Sequence, residues 1–298
     1  MKPYSAHRRS RKPPAGEQHP HHQRVERRTR EDDGQAGEER GGESQRLYGV
    51  GPVLEALRAG QRSVEQIILA EGTRPNRLRE LMELARQANV PVRRAPRAEF
   101  ARAAGAGVNH QGVVALVAAA RYREAEELLD ALAARVGTAE PPLAVVLDGV
   151  EDPRNLGAIL RTVECAGAHA VFIPERRAAG LTDTVAKAAA GALEHVAVAR
   201  VSNISRLIEE LKRRGIWTVG TSGAAEMEYT EWDYTQPTAL VFGSEGGGLH
   251  RLVREHSDVL VRIPLRGHTQ SLNVSVAAGI LLYEALRQRR KEGMRAEG

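Results

Sequence analysis

IPLRGHTQSLNVSVAAGILLYEALRQRR, residues 263–290, reads as the end of a strand, a polar glycine-containing loop and then a long helix. The strand runs from Val259 to Pro264, and apolar residues then recur at Val274, Ala277, Ala278, Leu281, Leu282 and Ala285, the spacing of one helical face. Ser271, Leu272 and Asn273 stand at the helix start, where a serine hydroxyl caps free backbone N–H groups and the asparagine adds a second polar group. Read alone, this is a capped helix. The same hydroxyl, amide and backbone donors at the positive end of a helix are also what a ligand uses.

Working back from this stretch, strand and helix patterns alternate. Strand candidates fall at Leu143–Leu147, Ala170–Ile173, Val196–Val201, Trp217–Gly220, Leu240–Phe242 and Val259–Ile263. Helical patterns lie between most of them, at Leu156–Ala166, Thr184–Leu193, Ile204–Arg214 and Leu249–Glu255. Such alternation predicts an α/β fold, a doubly wound parallel sheet with ligands at the carboxyl ends of the strands. A smaller α/β unit precedes it. There a short helix carrying Val53, Leu54 and Leu57 leads to a strand at Val64–Leu69 and an amphipathic helix at Arg77–Ala88. A short strand at Val90–Val92, a helix at Arg97–Ala104 and a buried strand at Val113–Ala118 complete it. The expected division is a tail at 1–46, a first domain at 47–122, a linker at 123–142 containing a charged helix, and a second domain at 143–298.

The 298 residues are 42% hydrophobic and 27% charged, ordinary for a globular chain of two domains. Charge is unevenly spread. Residues 1–30 hold nine Lys/Arg against two acids, and residues 31–46 hold two against six. No Leu, Ile or Phe precedes Leu47, so this tail is expected to be disordered, its arginines suited to transient contact with phosphates or merely solubilising. No apolar run has membrane-spanning length and the basic N-terminus lacks an apolar core, which predicts a cytoplasmic protein without membrane contact. The single cysteine, Cys165, allows no internal disulfide and no multi-cysteine zinc site, and is read as a packing residue. His19, His21 and His22 lie in the tail, and no metal site is expected.

Three loops after predicted strands hold the candidate chemistry. Asp148 to Gly157 feeds a helix carrying Arg161; Asn155 sits near its N-cap, and Arg161 reads equally as a solvated charge. Gly243-Ser244-Glu245-Gly246-Gly247-Gly248 combines four glycines, which permit close backbone approach, with one acid. It has neither the Gly-Lys-Ser/Thr of a P-loop nor G-x-G-x-x-G spacing. The third is the stretch from Ile263, and a lesser fourth is Gly220-Thr221-Ser222-Gly223.

Taken jointly, "LDGVEDPRNLGAILRTVECAGAHAVFIP", "ALVFGSEGGGLHRL" and "IPLRGHTQSLNVSVAAGILLYEA" resemble the three ordered motifs of the SpoU (TrmH-like) RNA ribose 2′-O-methyltransferases. "YGVGPVLEAL" and "VNHQGVVAL" are similar to the ribosomal-protein-L30e-like substrate-binding domain of that family. The resemblance spans about residues 47–290. It implies a SPOUT-type catalytic domain whose parallel sheet is knotted around an S-adenosylmethionine pocket, an L30e-like α/β domain before it, and a homodimer. It implies transfer of a methyl group to a guanosine ribose of 23S ribosomal RNA. Transfer RNA is the alternative substrate, and a non-catalytic RNA-binding assembly factor the alternative class. Residue by residue, the resemblance assigns catalytic roles to Asn155, Arg161, Glu245, Ser271 and Asn273, with Glu245 ordering both its loop and Arg161. It assigns cofactor contacts to Thr221, Ser222, Gly223, Gly243, Ser244, Gly246, Ile263, Pro264 and Leu272, and no metal. Gly247 and Leu265 depart from the family, which often has Glu and Met there.

Overall fold

The structure is a computed structural model that describes residues 44–73, 78–104 and 110–296, with side chains up to Arg290. The tail reading for residues 1–43 lies outside these residues. Ser44 to Arg46, expected to belong to the tail, instead begin β1 (Ser44–Tyr48). Only Leu47 of this strand is buried, so SQRLY shows no apolar pattern to read; its place is set by antiparallel pairing with a later strand.

The remainder of the first half is α1 (Val50–Ala59), β2 (Val64–Ala70), α2 (Arg79–Gln87), β3 (Val92–Ala95), α3 (Arg97–Ala104) and β4 (Val113–Ala118). They form a four-stranded mixed sheet in the order β1-β4-β2-β3. Leu47, Val53, Ile67, Leu69, Leu81, Val113 and Val117 fill its main core, whereas Met82 of α2 is exposed.

The second half begins with α4 (Ala125–Ala133) inside the expected linker; its Leu128, Leu129 and Leu132 are buried against the second sheet, so this connector is itself packed. There follow β5 (Leu143–Asp148), α5 (Pro153–Ala166), β6 (Ala170–Pro174), α6 (Asp183–Ala189), a 3-10 turn (Ala192–Glu194), β7 (Val198–Val201) and α7 (Ile204–Arg213). Then come β8 (Trp217–Thr221), β9 (Met227–Glu228), β10 (Thr238–Gly243), α8 (Arg251–His256), β11 (Val259–Arg262) and α9 (Val274–Ala296). The seven strands order as β7-β6-β5-β10-β8-β11-β9, each neighbouring pair parallel. This is the expected α/β architecture.

β5 and β10 are buried at every residue, because helices cover both faces of a parallel sheet. Alternation divides their side chains. Leu143, Val145, Leu147, Leu240 and Phe242 meet α5 and α9, whereas Ala144, Val146, Ala239 and Val241 meet α4, α7 and α8. The helix expected over 184–193 breaks at Ala190 (φ 52°) and Gly191 (φ 100°) and resumes as the 3-10 turn. β9, two residues long, was not legible in the sequence; it exists through parallel pairing with β11.

Candidate active site

The expected loops do converge at the carboxyl ends of the central strands. β5 and β10 are adjacent and in register there, with Gly243 beside Asp148. The chain leaves Gly243 into a tight hairpin closed by Ser244 N–H to Gly248 O and Gly248 N–H to Ser244 O, both 3.0 Å. Gly246 and Gly248 adopt positive φ, 82° and 64°, which the turn requires and only glycine adopts without strain.

This hairpin delivers Glu245 to the starts of two helices. The side chain of Asp152 caps α5, accepting the Arg154 N–H at 2.7 Å. Asn155 is therefore not the cap that its position in the sequence suggested. It lies in the first turn, is buried, and donates through Nδ2 to Glu245 Oε1. Asn273 Nδ2 donates to Asn155 Oδ1 at 3.0 Å and to Glu245 Oε1 at 3.2 Å. Asn273 also caps α9: its Oδ1 accepts from Ser275 N–H at 2.9 Å and Ser275 Oγ at 2.5 Å. The helix starts at Val274, three residues later than Ser271, and Ser271 does not serve as its cap. With both donors and both acceptor positions filled, Asn273 is held in one orientation. The Glu245 carboxylate thus sits between the positive ends of two helices, where a negative charge is favoured.

Asn273→Ala removes all four of these hydrogen bonds. The lost cap alone costs about 1 kcal/mol. The expected results are a lower melting temperature and faster amide exchange at Ser275; wild-type values for both would show that another group caps α9.

Arg161 stands apart from this cluster. It is exposed on α5, and no hydrogen bond or ion pair joins it to another described residue. Glu245 therefore orders its own loop through the two asparagines and does not hold Arg161, contrary to the sequence-based expectation. Cys165, one turn along α5 from Arg161, is exposed and not the packing residue expected. Partial burial and the neighbouring Glu164 carboxylate hold its thiol above the ordinary value, which keeps it protonated and a poor nucleophile.

Beside the cluster lies a cleft of about 180 Å³. Thr221, Ser222, Gly223, Gly243, Ser244, Gly246, Ile263 and Leu272, all expected cofactor contacts, line it, as does Ser271. Pro264 does not; it is exposed just beyond the end of β11. Glu245 of the cluster lines it too, and Phe242, Gly248, Val261, Leu265, Gln270, Val274 and Ala277, which were not anticipated as contacts, complete the wall. A Cβ built on Gly223, Gly246 or Gly248 would meet nothing within 4 Å, so backbone is open to close approach on that side. Apolar side chains beside accessible glycine backbone suit a ligand with both an apolar and a polar part.

Two larger clefts, of about 740 and 700 Å³, lie in the first half and at the junction of the two halves. Neither adjoins the Asn155–Glu245–Asn273 cluster, and the strand-end position favours the smaller cleft as the reactive one. One polar pair beside it was also missed. Buried Asp148 accepts from His250 N–H at 2.8 Å and pairs with His250 Nδ1 at 2.9 Å, which delays the start of α8 to Arg251. Among the described residues no cluster of three or more metal-ligating side chains occurs, and no helix is long and apolar enough to cross a membrane.

Comparison with known proteins gives a consistent picture. Residues 142–283 match the SpoU rRNA Methylase family, and residues 46–123 match the RNA 2′-O ribose methyltransferase substrate-binding family. The chain is 47% identical over 245 residues to the 23S rRNA (guanosine-2′-O-)-methyltransferase RlmB of Pseudomonas putida, covering 82% of this chain and 97% of that protein. It is 44% identical over 247 residues to RlmB of Ralstonia nicotianae, covering 83% and 96%. Among solved structures, the SpoU methyltransferase AviRb of Streptomyces viridochromogenes, in complex with the cofactor AdoMet, superposes with a TM-score of 0.65 at 28% identity. That superposition covers 83% of this chain and 90% of that one.

Proposed function

Since the chain belongs to the SpoU rRNA methylase family, we propose that it transfers a methyl group from S-adenosylmethionine to the ribose 2′-hydroxyl of a guanosine in 23S ribosomal RNA. The observation that carries this reading is the closed hydrogen-bonded triangle of Asn155, Glu245 and Asn273. Its members lie up to 118 residues apart, on the three segments that carry the motifs. Relatives that share up to 47% of their residues with this chain carry that activity in their names.

When bound, S-adenosylmethionine supplies an electrophilic methyl group, so the protein has to orient the acceptor hydroxyl and stabilise the oxygen as it loses its proton. Arg161 is the group for the second task. A guanidinium stays charged and carries only N–H donors, so it acts as a donor toward the developing alkoxide and a phosphate oxygen of the RNA. That phosphate oxygen is the acceptor for the hydroxyl proton. Ser271, at the cleft, is the residue to meet the ribose, while Asn155 and Asn273 hold Glu245 and with it the loop that walls the cofactor cleft.

The same reading includes a first domain, β1 to β4, that holds RNA, a catalytic domain from α4 onward, and a cytoplasmic homodimer. Exposed Val276 and Tyr283 on α9 offer apolar surface for that dimer. It also includes the knot, for which the support is membership of the family.

Incubation with labelled S-adenosylmethionine and undermethylated 23S ribosomal RNA or transfer RNA, followed by mass mapping, tests the proposal. Label on a guanosine 2′-oxygen of 23S RNA is expected. Label on transfer RNA alone would transfer the activity to the other substrate, and label on neither would leave an RNA-binding factor.

A further inference from the structure

A pair of opposite charges is buried where the two halves of the molecule meet. Arg62, between α1 and β2, and Glu194, in the 3-10 turn after α6, are both buried, and the Glu194 side chain is fully shielded from solvent. The contact is a fork: Arg62 Nε donates to Glu194 Oε2 at 3.1 Å and Nη2 donates to Oε1. The remaining guanidinium nitrogen, Nη1, donates to Gln45 Oε1 at 2.9 Å. Gln45 in turn accepts from Ala120 N–H at 3.1 Å and donates to the carbonyl of Leu181, just ahead of α6. β1, the α1–β2 turn, the end of β4 and the entry and exit of α6 are thereby tied at one point.

The rest of the junction is less specific. Ala186 of α6 packs into the core of the first half, and Leu193 lies partly buried beside it. The exposed His195 meets the half-buried Glu55 at 3.2 Å. A cleft of about 700 Å³ opens alongside. Small apolar contacts of this kind tolerate sliding and re-registering, and contacts between domains are ordinarily compatible with relative motion. A bidentate fork does not tolerate it, because both distance and twist are fixed by two parallel hydrogen bonds. Against an apolar pair of similar volume, a buried ion pair contributes little stability; its distinctive product is geometry.

We propose that Arg62 and Glu194 are positioning residues for methyl transfer: they fix the bearing of the RNA-holding half on the catalytic half, so that an RNA gripped by the first sheet presents its ribose at Arg161. This rests on the function proposed above. Neither residue lies in the strand-end cleft, so both act through the placement of the first sheet and touch neither RNA nor cofactor. Loss of the fork leaves the cofactor cleft intact and loosens only the delivery of RNA.

The test uses the full chain with Arg62→Met and Glu194→Leu together, which removes both charges and leaves neither buried alone. Expected are wild-type melting and wild-type affinity for S-adenosylmethionine. The KM for RNA should rise by about tenfold, the scale on which residues between two sites modulate their coupling, with kcat at saturating RNA changed much less. Probes at Met82→Cys and Leu252→Cys, one in each half, in a Cys165→Ser background, should report a broader distance distribution. An unchanged KM with an unchanged distance distribution would overturn the proposal. Should the double variant fail to fold, Arg62→Lys keeps the charge and loses the fork; it should show the same rise in KM, and a wild-type KM there would overturn the proposal as well. Absence of methyl transfer by the unaltered protein would instead sink the functional reading, while the distance measurement still decides the latch.

Discussion

Arg161→Ala is expected to lower methyl transfer by about two to three orders of magnitude, the usual cost of removing a donor aimed at a developing oxyanion, while S-adenosylmethionine still binds with wild-type affinity. The expectation rests on what Arg161 does not do. It is exposed on α5, pairs with no described carboxylate, and is not part of the cluster that holds Glu245. Its removal therefore opens no cavity and strands no buried charge, and stability should move by less than about 0.5 kcal/mol. The strand-end cleft does not include it. Single-turnover rates on RNA, read beside cofactor titration and thermal melting, separate chemistry from binding and folding. Arg161→Lys, which keeps the charge but not the fork, should recover only part of the rate. Wild-type turnover by Arg161→Ala would remove the residue from the mechanism.

Gly243→Ala should have the largest effect on stability. A Cβ there would lie 2.0 Å from the Gly248 carbonyl carbon, 2.2 Å from Leu249 N and 2.3 Å from Gly248 O. These are backbone atoms held by the Ser244–Gly248 hairpin, so no side chain can rotate away to make room. Relief requires opening the hairpin, which also displaces Glu245 from Asn155 and Asn273. A cost of about 3 kcal/mol or more is expected, with a fall in melting temperature on the order of 10 °C and weaker binding of S-adenosylmethionine. The constraint is space rather than dihedral angle, since Gly243 is not among the positive-φ residues. A melting temperature equal to wild type would show that the hairpin shifts without cost.

Legibility followed length and apolarity. β5 and β10 were readable because a strand buried on both faces leaves an unbroken apolar run, LAVVLD and TALVFG. α5 and α7 were readable from apolar positions on one face, among them Leu156, Ile159, Leu160 and Val163, and Ile204, Leu207, Ile208 and Leu211. β1 and β9 were not, because one presents a mostly polar sequence and the other has two residues; pairing alone makes them strands. Helix starts were misplaced for a related reason. Ser271 and Asn155 both look like caps from their local sequence, but Asn273 and Asp152 hold those positions. Local chemistry names the residues able to cap, and only the backbone path decides which of them does.

At the site, the residue types are set by the sequence alone: an acid among glycines, asparagines at two helix starts, an arginine on the first of those helices, and the order of their segments. Tertiary structure decided their partnerships. It joined Asn155, Glu245 and Asn273, released Arg161 from Glu245, and set Asp148 against His250. It also closed Arg62 on Glu194 across 132 residues. The physical reason is range. Propensity and apolar periodicity act within a few neighbouring residues, whereas a hydrogen bond at 3 Å between residues a hundred positions apart exists only once β5 and β10 lie side by side in register.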